Sequence, residues 1–98
     1  MIIITISIIA TVHVREGKME EAKEVLKKIV PKIKESEPGT LEYIPHSVKQ
    51  DPNAIIFYEK YADDDAMKTH TKNLGKNMAE LGPLLEPGTD IKNLKEIL

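Results

Sequence analysis

The chain has 98 residues, of which 41% are hydrophobic and 31% charged, with a net charge of -2 and no cysteine. That length supports one two-layer core, so residues 1–98 are read as a single domain and anything larger needs self-association. Interspersed lysines and acids leave no basic stripe for phosphates, which argues against nucleic acid as a partner. The lack of cysteine removes disulfide and thiolate chemistry and makes a reducing cytoplasm the default compartment.

The apolar start, MIIITISIIATV, lacks a positively charged preface and is interrupted by Thr5, Ser7 and Thr11. It falls short of the ~20 apolar residues of a spanning helix, so it reads as a strand beginning at the first residue, with no membrane association. From Ile4 to Val14, alternation places Ile4, Ile6, Ile8, Ala10, Val12 and Val14 on one face and Thr5, Ser7, Ile9, Thr11 and His13 on the other. Met19, Ala22, Leu26, Ile29, Val30 and Ile33 then recur at helical spacing, predicting a helix over Met19–Glu35. Glu20 and Glu21 suit its positive end, and Pro31 predicts a kink. "SEPGT" stops it, with Gly39 read as a permissive backbone position.

Thr40–Val48 reads as a second strand, which Pro45 assigns to an edge or a bulge. "KQDPN" reads as a turn, and Ala54–Tyr61, rich in β-branched and aromatic residues, as a third strand. A second helical region covers Asp64–Leu81 and ends at Gly82-Pro83, with Gly75 the position where it would break in two. Asp90–Leu98 is the expected last strand. The order βαββαβ matches an α+β, ferredoxin-like fold, an antiparallel sheet with both helices on one face. Its other face would carry Ile9 and Ile56 or Tyr58, and an uncovered apolar sheet face predicts a symmetric homodimer with two sheets facing each other.

"YADDDAMKTH", residues 61–70, is the stretch richest in chemistry-bearing residues. A metal shared with His70 would need an acid three or four residues away on the helix, where Ala66 and Met67 stand, so no local metal site is expected. Asp63 reads as an N-cap, with Asp64 and Asp65 at the positive end of the dipole. Met67, His70, Leu74, Met78 and Leu81 fall on one helical arc facing the sheet. His70 there is either a core histidine with backbone partners or a group facing a cavity. His13 and His46 read as isolated strand residues with structural roles. The sequence contains no GxGxxG or Walker-type phosphate loop, HExxH or GxSxG motif.

The segments "VREGK", "EPGTLEYIPH", "DPNAIIFYEKYADDDAMKTH" and "LGPLLEPG" resemble, in order and spacing, the antibiotic-biosynthesis-monooxygenase family of dimeric α+β barrel proteins. The resemblance implies a small homodimer with a pocket in each subunit between sheet and helices. It implies a cofactor-free monooxygenase acting on a small quinol or phenolic substrate. Residue by residue, Phe57, Glu59 and Tyr61 look like pocket-lining positions of the third strand, with Met67 and His70 opposite. Tyr61 stands where the family often has Trp, and Met67 where some oxygenases carry an aromatic acid/base group. The usual "HF" pair looks like Asn73 and Leu74. The haem-degrading branch does not fit, since Ala10 replaces its strand Asn, there is no Trp, and Asn77 and Met78 stand where its axial His is expected.

With no cofactor invoked, the substrate itself must supply electrons to O2, which favours one whose deprotonation gives an electron-rich anion. His70 is the candidate base, imidazole having an unperturbed pKa near ~6.5. Glu59 would orient it or hold a hydroxyl, and Phe57, Tyr61, Met67 and Leu74 would exclude water. The rival readings are a non-catalytic small-ligand-binding dimer and a cofactor-free isomerase or lyase using the same pocket.

Overall fold

The structure, a computed structural model, describes residues 4–98. The elements are β1 (Ile6–His13), α1 (Met19–Ser36), β2 (Thr40–Val48), β3 (Asp51–Tyr61), α2 (Asp64–Asn77) and β4 (Asp90–Leu94). The four strands form one sheet of order β2-β3-β1-β4 with every neighbouring pair antiparallel, the ferredoxin-like arrangement. A strand starting at the first residue lies partly outside the described residues; Ile4 and Thr5 precede β1.

The alternation holds from Ile8 to Val14, whereas Ile4 is exposed and Ser7, expected on the other face, is buried. Ile8, Ala10, Val12 and Val14 are buried beneath the helices, while His13 on the other face is exposed. Ala10, Val12 and Val14 join Ala22, Leu26, Ile29 and Ile33 of α1 and Tyr43, Ile55, Phe57, Leu81 and Leu84 in one core. Each fully buried aliphatic side chain contributes on the order of 2 kcal/mol, so the apolar stripe of α1 fixes which way the helix faces. The helix runs continuously through Pro31, whose side is solvent-facing. At its end the Glu37 N–H bonds the Ile33 carbonyl at 2.9 Å.

Beyond β1, three boundaries differ from the sequence reading by three residues or more. β3 begins at Asp51 instead of Ala54, leaving Lys49-Gln50 as the turn. Pro52 is tolerated because it lies in the first residues of the strand, outside the ladder to β1 that starts at the His13–Ala54 pair. α2 ends at Asn77 and does not break at Gly75, since a helical glycine costs only about 1 kcal/mol. The chain then passes through tight turns, with Gly82 N–H on the Met78 carbonyl at 2.8 Å, into a 3-10 turn at Gly82–Leu84. β4 stops at Leu94, short of Leu98.

Gly39 has a different reason from the one expected. Positive φ angles occur at Gly17 and Gly88, not at Gly39. A Cβ at Gly39 would lie 2.5 Å from the Ala66 Cβ, so glycine is required because the α1–β2 turn presses against the first turn of α2. That close approach brings Glu37 to His70.

Pro45 does sit on an edge strand, β2. The pairings Ile9–Tyr58, Thr11–Ile56 and Ile44–Tyr58 place Ile9, Ile44, Ile56 and Tyr58 together on the sheet face opposite the helices. Both alternatives for that face, Ile56 and Tyr58, are therefore on it. No helix among the described residues is long and apolar enough to cross a membrane.

Candidate functional site

Asp63 starts the local construction. Its extended backbone and its Oδ1, accepting the Ala66 N–H at 2.8 Å, cap α2 as expected, with Asp64 and Asp65 in the first turn. The cap sets the phase of the helix, and two turns later His70 is carried beneath the sheet, 5% exposed. Its ring both lines a cavity and holds a polar partner, and that partner is a side chain instead of the backbone.

The His70 Nδ1 lies 2.8 Å from Glu37 Oε1, between a carboxylate at the end of α1 and a histidine in the middle of α2. Glu37 is 2% exposed and fully engaged. Thr40 Oγ1 donates to its Oε1 at 3.0 Å, and Asn73 Nδ2 and Asn77 Nδ2 donate to its Oε2 at 3.3 and 3.2 Å. Burial pushes the Glu37 carboxyl up, but the hydrogen bonds from His70, Thr40 and Asn73 outweigh it and hold the group below the ordinary carboxylate range. An ionised carboxylate only accepts, so the imidazole proton belongs on Nδ1 and the Nε2 lone pair points away from Glu37.

On that second side, Glu59 Oε1 stands 3.8 Å from Nε2, beyond hydrogen-bond range, and accepts a hydrogen bond from the Tyr61 hydroxyl. Burial pushes the Glu59 carboxyl up, only partly offset by the Tyr61 bond and by His70, so it holds its proton more tightly than an ordinary glutamate. Burial, followed by the neighbouring carboxylates, also raises Tyr43 and Tyr61, which remain neutral phenols. The rings of Tyr43 and Tyr61 lie 5.1 and 5.3 Å from the imidazole and wedge it in place.

This cluster forms one end of a cavity of about 210 Å³ between the sheet and α2. All six residues singled out in the sequence, Phe57, Glu59, Tyr61, Met67, His70 and Leu74, line it. Ile8, Ala10 and Val12 of β1 floor it, and Thr71, Met78, Leu81, Leu85, Thr89 and Ile91 complete its lining. A second, more open groove of about 450 Å³ runs between α1 and the β2 edge. Its lysines and His46 are exposed, so it lacks the buried polar cluster that marks the first. His13 faces Asp51 at 3.9 Å on the surface, and His46 Nδ1 lies 3.0 Å from the Ile44 carbonyl.

Sequence reasoning missed Glu37 and Tyr43. The sequence reading absorbs Glu37 into a helix-stop motif and places Tyr43 only within the second strand. Asn73, considered only as a substitute for a family residue, turns out to bind Glu37. One signal was available: two asparagines, Asn73 and Asn77, sit one turn and two turns beyond His70 on the same helical side, a row of polar groups that needs a partner.

The comparisons fit this picture. Residues 5–75 match the family model described as antibiotic biosynthesis monooxygenase. A proposed antibiotic biosynthesis monooxygenase of Caulobacter crescentus is similar in structure, with 29% identity, a TM-score of 0.84, and 96% of this chain and 91% of that one covered. A conserved protein of Methanosarcina mazei, 18% identical, covers 96% of this chain and 94% of its own at a TM-score of 0.81. A proposed antibiotic biosynthesis monooxygenase of Nitrosomonas europaea, 15% identical, covers 99% and 94% at 0.83. The latter two likenesses speak to fold alone. No curated protein matches the chain. The sequence resemblance, the ferredoxin-like sheet and the match over residues 5–75 agree: the chain belongs to the antibiotic biosynthesis monooxygenase family.

Proposed function

We propose that the chain is a cofactor-independent monooxygenase of a small quinol or phenol, acting as a homodimer. The observation that carries the reading is the continuity of the Glu37–His70 pair with the apolar cavity. His70 Nε2 takes the phenolic proton, and ionised Glu37 holds the ring in the required tautomer and stabilises the imidazolium that forms. The resulting anion is electron-rich enough to reduce O2 directly. One oxygen atom enters the ring and the other leaves as water, so that a quinol becomes a hydroxyquinone and the substrate supplies all four electrons. Met67, Leu74 and Phe57 keep bulk water from the anion.

The homodimer reading rests on Ile9, Ile44, Ile56 and Tyr58, an apolar cluster on the helix-free face with Ile44 39% exposed. The test of activity is O2 uptake with simple quinols under air, for the wild type and His70→Ala. A general base contributes roughly 10²–10⁴ in rate, and the variant is expected to lose that factor. Absence of protein-dependent uptake, or undiminished uptake in the variant, removes the proposal.

A further inference from the structure

The cavity offers a ligand polar groups but no permanent cation. Tyr43, Glu59, Tyr61, His70, Thr71 and Thr89 line it beside apolar side chains, with no lysine or arginine among the described lining residues. The lysines of α2, Lys68, Lys72 and Lys76, are exposed and stand outside the lining. The open groove along α1 differs in this respect, being lined by Lys23 and Lys27.

Behind His70 stands a buried negative charge. Thr40 Oγ1 and His70 Nδ1 meet one Glu37 oxygen, and the amides of Asn73 and Asn77 donate to the other. Four donors on two oxygens are the surroundings of a carboxylate, because a protonated carboxyl would turn its own hydrogen against one of them. His70 adds one positive charge at most, Glu59 adds none or one negative, and Tyr43 and Tyr61 are neutral phenols. With Glu37 ionised, no protonation state of His70 and Glu59 therefore makes this end of the cavity net positive. An anion carried inward loses its water and meets no surplus of opposite charge. A neutral ligand loses far less, and the imidazole, carboxyl and hydroxyls of the same lining can hydrogen-bond it.

We infer that the cavity takes its ligand uncharged, a neutral phenol or quinol and not an aryl carboxylate or phosphate, and that Glu37 sets this selectivity by holding a negative charge behind His70. The outer end is open, with Leu74 38% and Ile91 54% exposed, so the selection acts on the groups that a ligand carries inward. An apolar cavity of about 150 Å³ takes up benzene, so about 210 Å³ admits one ring with small substituents. The choice of a phenol rests on the proposed function; the exclusion of charge rests on the lining and on Glu37.

The pair 3-hydroxybenzamide and 3-hydroxybenzoate tests this, because the two share shape and hydroxyl and differ in charge at neutral pH. Anaerobic NMR titrations at pH 7, read at the His70 and Tyr43 ring resonances, report binding in this cavity and not in the lysine-lined groove. The wild type should bind the amide at least about tenfold more tightly than the carboxylate. Glu37→Gln should narrow that ratio by removing the charge. Thr71→Lys should narrow it too, by adding an ammonium at an exposed lining position that is remote from the fold's core, which keeps the test decisive if the Glu37 variant does not fold. Equal affinities, a reversed order, or no binding of either compound by the wild type would overturn the inference, as would an unchanged ratio in folded Glu37→Gln. O2 uptake with quinols is read separately. Rejection of the carboxylate without quinol oxidation removes the monooxygenase and leaves the charge selection, whereas quinol oxidation with equal affinities does the reverse.

Discussion

Replacing Glu37 by glutamine keeps its size and removes its charge, which tests the centre of the site. Glu37 accepts four hydrogen bonds, from His70 at 2.8 Å, Thr40 at 3.0 Å, Asn77 at 3.2 Å and Asn73 at 3.3 Å. Glutamine offers one oxygen and one NH2, so an amide hydrogen must face either the His70–Thr40 pair or the two asparagines. The asparagines can turn their own amides to accept, which limits the loss. The charge-assisted bond to His70, worth about 1.5–3 kcal/mol, cannot be restored. The expected cost is about 2 kcal/mol, or roughly 10 °C in Tm for a domain of this size. It should also depend on pH in a defined way. The folded-state pKa of Glu37 is lowered, so its stabilisation is present above the ordinary glutamate value and is lost as pH falls through the folded one. The gap between wild type and variant should therefore close in acid. Urea denaturation from pH 7 down to pH 3 measures it, and long-range nitrogen NMR of His70 reads the tautomer, with Nδ1–H expected in the wild type. Equal stability at pH 7, or a gap that widens in acid, would refute the reasoning.

Glu59→Gln should act with the opposite sign: the folded pKa is raised, so the stability linked to this group is complete below the ordinary glutamate value and lost as pH rises through the folded one. The variant should gain on the wild type as pH rises above the ordinary glutamate value in the same denaturation series, and a constant difference would count against it. Gly39→Ala drives a methyl to 2.5 Å from the Ala66 Cβ and should cost about 1–3 kcal/mol, measured by thermal unfolding, with Gly39→Ala/Ala66→Gly recovering most of it. Asp63→Ala removes the cap on Ala66 and should cost about 1 kcal/mol, with Asp63→Ser largely rescuing it. If the proposed dimer forms through the helix-free face, Tyr58→Asp should sediment as a monomer and the wild type as a dimer, and identical sedimentation coefficients would exclude that face as a dimer contact.

Local rules carried the fold and half of the site. β1 and α1 were legible because a period of two and a period of 3.6 each expose one apolar face, and Asp63 because capping is satisfied within three residues. Met67, His70 and Leu74 were legible for the same reason, since one face of α2 must meet the sheet. Glu37 was not, because its partner is 33 positions away and nothing local distinguishes a carboxylate turned inward at a helix end from one left in solvent. Gly39 shows the same limit from the other side: the residue was recognised as special, but its reason, contact with Ala66, belongs to tertiary packing.

The opposed shifts of Glu37 and Glu59 give the pocket a charge balance suited to making an anion. When Glu37 is ionised and His70 Nε2 is free to act as the base, that pair carries one negative charge. Proton transfer from a phenol to Nε2 creates an imidazolium between the Glu37 carboxylate and the new phenolate, and the total is unchanged. No charge enters or leaves the low-dielectric interior, so the step avoids the penalty that would otherwise accompany ionisation there. The same balance assigns each carboxyl a pH limit. Protonating Glu37 removes the partner that stabilises the imidazolium, so turnover should fall in acid. Ionising Glu59, whose Oε1 lies 3.8 Å from Nε2, places a second anion against the phenolate, so turnover should fall as pH rises through its raised pKa. Glu59→Gln should therefore extend the descending high-pH limb of the rate profile while leaving the low-pH limb in place, and loss of both limbs together would show that the two carboxyls do not act separately.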